Sequence, residues 1–159
     1  MPITVPCLWF DLGVAELAAA HYVSIFPNSE IIGTTYYGPG TPGPEGAVMT
    51  VEFSLDGQRF TGLNGGPQFT FSEAISFQIP CADQAETDHY WNRLGEGGKE
   101  GPCGWVTDRF GVSWQVEPTA LRELLADPDP ARANRAMQSM LGMTRIDIAE
   151  LRRAADAAP

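Results

Sequence analysis

Positive charge is scarce in this chain: ten Lys and Arg stand against twenty Asp and Glu, giving a formal net charge of -10 and a sequence pI of about 4.5. Such a surface attracts neither a phosphate backbone nor an anionic headgroup, so no nucleic-acid partner is expected. Long apolar runs are missing as well. Nothing approaches the roughly eighteen consecutive apolar residues that span a bilayer, and no membrane contact is expected. The one apolar N-terminal run, Pro2 to Phe10, lacks the basic flank, long hydrophobic region and small-residue cleavage site of a secretory signal. Cysteine is limited to Cys7, Cys81 and Cys103, an odd count without C-x-x-C spacing. Neither a disulfide framework nor a zinc ribbon is built that way, and a reducing cytoplasm is the expected setting.

What the chain does contain is enough apolar material, 43% of residues, for one folded domain with a core. The most informative stretch is CGWVTDRFGVSWQVEP, residues 103–118. It reads as two short strands joined by a tight turn at Asp108, Arg109, Phe110 and Gly111, where glycine supplies the positive φ such turns need. Val112, Trp114 and Val116 alternate with Ser113, Gln115 and Glu117, so one face is apolar and the other presents polar tips. A polar face beside so much tryptophan suits the wall of a cleft. An ordinary antiparallel strand with a wet side reads the same way.

In chain order, Ile3 to Phe10 suits a buried strand, and Val14, Leu17, Ala18, His21, Tyr22 and Ile25 follow at helical spacing until Pro27. A lone histidine on such a stripe reads as core. Residues 30–37 form a second strand. GPGTPGPEG, residues 38–46, reads as a mobile surface loop. Strands over 47–55 and 58–64 are joined by Asp56-Gly57, a hairpin signal. After Asn64-Gly65-Gly66-Pro67 the order restarts: a strand over Ala74 to Pro80 with Ile75, Phe77 and Ile79 on one face, a capping box at Asp83 and Glu86, a helix carrying Tyr90, Trp91 and Leu94, a loop LGEGGKEGP, then the two strands described above. That loop lacks the spacing of a phosphate-cradling loop. Two His-Tyr pairs, at His21 and His89, lie 68 residues apart on the two helices.

The repeat of element order implies a duplicated β-α-β-β-β module, about 1–66 and 70–118, within one domain over 1–118. Each half-sheet has one face to hide, and placing the two together makes a cupped mixed sheet around a cleft. The fold class expected is therefore α+β with a C-terminal helical extension over 119–159. In that extension Thr119 caps a helix ending at Ala126, Asp129-Pro130 opens another, and Asp147 with Glu150 caps the last. Met137, Met140, Leu141 and Met143 give it an apolar surface, for its own sheet or for a second chain.

TVPCLWFD, HYVSIFPNSEI, VMTVEFSLDGQRFTGLNGGP, FTFSEAISFQI and CGWVTDRFGVSWQ, with the tail strings PDPARANRAMQSMLGM and IDIAELRRA, together resemble the PhnB-like branch of the vicinal oxygen chelate superfamily. That superfamily includes glyoxalase I, bleomycin-resistance proteins and extradiol dioxygenases. The nearest resemblance is to the group labelled 3-demethylubiquinone-9 3-methyltransferase. It implies paired βαβββ modules, a homodimer, and a small molecule bound in each cup.

Metal-dependent members place His, Glu or Gln on inward positions of four strands. By strand order those positions fall near Val5 or Cys7, Phe60 or Gly62, Ala74 or Ser76, and on Gln115. Only Gln115 is a plausible donor, so no metal is expected. S-adenosylmethionine is not expected either, because Phe10-Asp11-Leu12-Gly13 stands after the first strand in place of a glycine-rich turn. His21 and His89 are expected to point into packing. The candidate ligand-binding set is Cys7, Trp9, Asn64, Ser76, Gln78, Trp105, Ser113 and Gln115, suited to stacking and a few hydrogen bonds. Glu117 as general base and Cys103 as nucleophile are the catalytic candidates. The primary reading is a metal-free and cofactor-free binding module. The alternatives are a lyase, isomerase or dioxygenase of the superfamily, or an interaction protein acting through its tail.

Overall fold

The computed structural model describes residues 4–157, and the chain separates into two compact units between Phe71 and Ser72. The first unit contains β1 (Cys7–Phe10), α1 (Ala15–Val23), β2 (Glu30–Tyr36), β3 (Val48–Leu55) and β4 (Gln58–Asn64). Its sheet has the order β1-β4-β3-β2, with β1 parallel to β4 and the other pairs antiparallel. The second unit begins with β5 (Phe77–Cys81), α2 (Gln84–Gly95), β6 (Lys99–Glu100), β7 (Trp105–Thr107) and β8 (Ser113–Pro118). Its sheet order is β5-β8-β7-β6, again with one parallel pair, β5 with β8. Order and polarity are the same twice over, so the fold is α+β with two βαβββ modules.

Alternation along each strand decides which face is buried. In the first unit Leu8, Phe10, Val51, Phe53, Leu55 and Phe60 pack beneath Ala15, Ala18, Ala19 and Tyr22 of α1. Phe53 and Phe60 are cross-strand partners with rings stacked 5.4 Å apart. Full burial of a side chain of that size stabilises by roughly 1.5–3 kcal/mol. Asp56 and Gly57 both have positive φ, 46° and 84°, the signature of the two-residue turn that closes Leu55 onto Gln58. In the second unit Ile79, Cys81, Val106, Trp114 and Val116 pack beneath Thr87, Tyr90, Trp91 and Leu94 of α2.

The chain continues into α3 (Thr119–Leu125), α4 (Pro130–Leu141) and α5 (Ile148–Asp156), all within the second unit. Leu121, Ile146 and Leu151 form their buried cluster, with Met140 and Met143 packed against it. The tail is pinned to the sheet by Cys103 N–H to Met143 O at 2.8 Å and Gly104 N–H to Thr144 O at 2.7 Å. The side chains of Asp129 and Asp147 cap α4 and α5 as the sequence predicts. Among the described residues no helix is long and apolar enough to cross a membrane.

Several local expectations need correction. The fifth strand starts at Phe77, three residues late, and Ile75 is exposed. Leu17 is exposed because the buried side of α1 is set by its alanines and Tyr22. His21 is buried, but His89 is exposed on the outer side of α2. Thr119 does not cap α3, since Pro118 holds the N-cap position without a side-chain bond. Part of LGEGGKEGP is strand β6, paired with β7. The 38–46 loop is closed at its base, where Tyr37 bonds Gly46 and Ala47 through its backbone, and a Cβ on Gly43 would lie 2.3 Å from the Tyr37 ring.

Candidate functional site

Register in the second sheet fixes which side chains share its polar face. Gln115 is the cross-strand partner of Gln78 on one side and Trp105 on the other, so these three form a single row across β5, β8 and β7. Beside that row the strand β8 runs into α3, and a hollow of about 370 Å³ opens there. Gln78, Cys103, Trp105, Gln115 and Glu117 line it, with Leu121, Leu125 and Met140 from the helical tail. Arg122, also in its wall, reaches Glu117 Oε2 from Nε at 3.1 Å and Nη2 at 2.6 Å, and Nη2 also donates to Gln78 Oε1 at 3.1 Å. Ser76 adjoins the row rather than the hollow: its Oγ accepts from Gln115 Nε2 at 2.7 Å.

The other candidates sit elsewhere. Ser113 lies on the same face of β8 but is buried, contrary to a wet-side reading, and its Oγ has no hydrogen-bond partner among the described residues. In the first unit Cys7 is exposed on β1. Trp9 is packed locally: its indole N–H donates to Gly66 O at 2.9 Å, its ring meets Phe69 edge-on at 4.9 Å, and a Cβ on Gly65 would come within 2.3 Å of it. Asn64 faces the helix side of its sheet. Its Oδ1 accepts from Ala15 N at 2.8 Å, while Nδ2 donates to Glu16 Oε2 at 2.6 Å and Val48 O at 3.0 Å. It caps α1 from 49 residues away, and all its polar capacity toward the helix is used.

The catalytic candidates are both in the hollow wall. Glu117, the candidate general base, is 15% exposed and ion-paired with Arg122. Cys103 has a positive φ of 55° and its thiol points to Met140 O at 3.6 Å; no histidine lines the hollow. Arg122, Leu121 and Leu125 were not singled out from sequence, and Met140 only as part of the tail's apolar surface. Of the first three, only Arg122 left a trace there, five positions after Glu117 on the helix that follows it.

The turn Asp108 to Gly111 owes its shape to Asp108, whose Oδ1 accepts from Phe110 N and Val112 N and whose Oδ2 accepts from the Trp114 indole at 2.8 Å. Buried and multiply bonded, it holds Trp114 on the core side and so leaves Gln115 on the other.

The donor set does not suit a divalent metal: no three His, Cys, Asp or Glu side chains converge among the described residues. Nor does it suit S-adenosylmethionine held as in a doubly wound sheet. Each sheet has a single parallel pair, and the first amide of α1 is already bonded to Asn64. Gly38, Gly40 and Gly43 match a dinucleotide fingerprint by spacing, but that segment joins β2 to β3 and opens no helix.

Paired βαβββ modules of this order define the vicinal oxygen chelate superfamily, and the solved structures similar to this chain include its members. The PhnB protein from Bacillus cereus is 32% identical, with 74% of this chain and 100% of that chain covered and a TM-score of 0.66. A Pseudomonas aeruginosa protein is 22% identical over 74% of this chain and 98% of its own, with a TM-score of 0.61. The fosfomycin resistance protein FosX from Listeria monocytogenes, 19% identical over 79% and 98% with a TM-score of 0.52, shares the fold. A family model described as 3-demethylubiquinone-9 3-methyltransferase matches residues 2–117, and the chain belongs to that family, within the PhnB-like branch. No curated protein matches it significantly.

Proposed function

We propose that this chain is a metal-free binding module that takes a small molecule into the hollow beside β8. The observation that carries the reading is the convergence of Gln78, Gln115, Trp105 and Cys103 on that hollow, with apolar walls from Leu121, Leu125 and Met140. An apolar cavity with a few placed polar groups is the usual form of a small-molecule site. Lyase or isomerase chemistry would need a base, and Glu117, the carboxylate of the hollow, is engaged by Arg122. The reading includes a homodimer, as the family resemblance implies, and a reducing cytoplasm, as the odd cysteine count suggests.

Native mass spectrometry of chain purified without chelators tests the dimer and the site together. The expected spectrum is a dimer carrying an organic adduct, with the adduct lost in Trp105→Ala. A stoichiometric divalent cation, or an adduct retained in that variant, would overturn the reading of the site.

A further inference from the structure

Resting on that binding reading, we infer that the ligand presents a neutral, planar amide edge, a ring N–H beside a ring carbonyl, and that Gln115 and Trp105 read it. Charge is the first constraint. Glu117 and Arg122 are bonded to each other in the hollow wall. The two charges cancel within the pair, so the wall presents no net charge for a ligand of either sign to answer, and a neutral ligand suits it best.

Unused hydrogen-bonding capacity is the second. Gln115 donates to Ser76 through Nε2, and its Oε1 has no partner among the described residues. The neighbouring Trp105 indole N–H likewise makes no hydrogen bond among the described residues. Register places these side chains together on one face. An acceptor and a donor side by side are complemented by a donor and an acceptor side by side, which is the edge of a lactam or imide ring.

Shape is the third. The Trp105 ring has no aromatic neighbour among the described residues, so its face is open for a flat partner. Trp9, on β1 of the other module, is already covered by Phe69 and Gly65. A hollow of about 370 Å³ suits one or two fused rings.

The probes are 2-pyridone, N-methyl-2-pyridone, benzoate and benzylamine, followed by the indole N–H resonance of Trp105 in proton–nitrogen spectra and assigned with Trp105→Phe. The expected result is that 2-pyridone moves this resonance, that N-methylation or Gln115→Ala weakens binding at least tenfold, and that the charged probes leave it in place. N-methyl-2-pyridone binding as well as 2-pyridone to the wild-type chain overturns the amide edge whatever the variant does. Benzoate or benzylamine bound at Trp105 overturns the amide edge and leaves the binding reading standing. No response to any probe, together with no co-purified adduct, overturns both.

Discussion

The two modules share one topology and differ in how each starts its helix. In the second, Asp83 accepts from Glu86 N at 2.9 Å, and Glu86 reaches back to Ala82 N at 2.6 Å, a device confined to five residues. In the first, Val14 makes no side-chain cap and the amide of Ala15 is met by Asn64 from the end of β4. One helix is anchored by its own sequence and the other by the sheet. The outer faces differ in the same sense: Trp9 is packed away against its own module, while Trp105 stands at a hollow completed by helices that only the second module has. Duplication supplies the scaffold, and departures between the copies supply the hollow.

If that contrast is right, removing the two caps costs different amounts. Asn64→Ala strips a buried side chain of three hydrogen bonds and leaves Ala15 N and Val48 O without that partner, a loss of about 4 kcal/mol for a broken buried network. Asp83→Ala removes an exposed cap bond and costs about 1 kcal/mol. Urea denaturation of both variants checks this, and equal losses would show that the distant cap does no more than a local one.

This difference also explains what could be read from the sequence. Asp83 with Glu86, Asp129-Pro130 and Asp56-Gly57 were legible because each device is complete within a few residues. The fold followed from them and from the repeat of element order. Asn64 was misread as a ligand-facing residue because its partners, Ala15, Glu16 and Val48, are 49, 48 and 16 positions away. The contacts of Trp9 were illegible for the same reason, since Gly66 and Phe69 reach it only across the sheet. On the second sheet the alternation of Ser113, Gln115 and Glu117 predicts the face on which Gln115 and Glu117 line the hollow. It could not show that Ser113 would be buried, or that Arg122 would fold back onto Glu117.

Equivalent strands also carry cysteines in unlike surroundings, Cys7 exposed on β1 and Cys81 fully buried at the end of β5. Burial pushes the Cys81 thiol from 9.0 up to about 11, with nearby Glu86, Asp83 and Glu117 adding to the rise and a hydrogen bond with Thr87 opposing it. The unfolded chain therefore releases this proton first. The stabilisation is complete below pH 9 and is lost as pH rises toward 11, reaching roughly 2 kcal/mol by pH 10.5. Urea melts of wild type and Cys81→Ala at pH 8 and 10.5 isolate it from other groups that titrate there. A wild-type loss no greater than the variant's would show that burial does not hold this proton on Cys81.

The smallest expected effects come from the ion pairs on the two outer faces. Arg59 and Glu52 meet at 2.7 Å with side chains 56% and 45% exposed, so water and salt screen them. Arg122 and Glu117 meet at 2.6 Å, but Glu117 is only 15% exposed. Removing Arg59 should cost about 0.3 kcal/mol and vanish in 1 M salt. Removing Arg122 should cost about 1 kcal/mol and persist in salt, because a carboxylate walled in by Leu121 and Leu125 loses its cation and has less water to replace it. Urea midpoints of Arg59→Ala and Arg122→Ala at low and high salt decide the matter. Matching salt dependence in the two variants would mean that the hollow is as wet as the open face of the other module, and the neutrality imposed on its ligand by this pair would lose its basis.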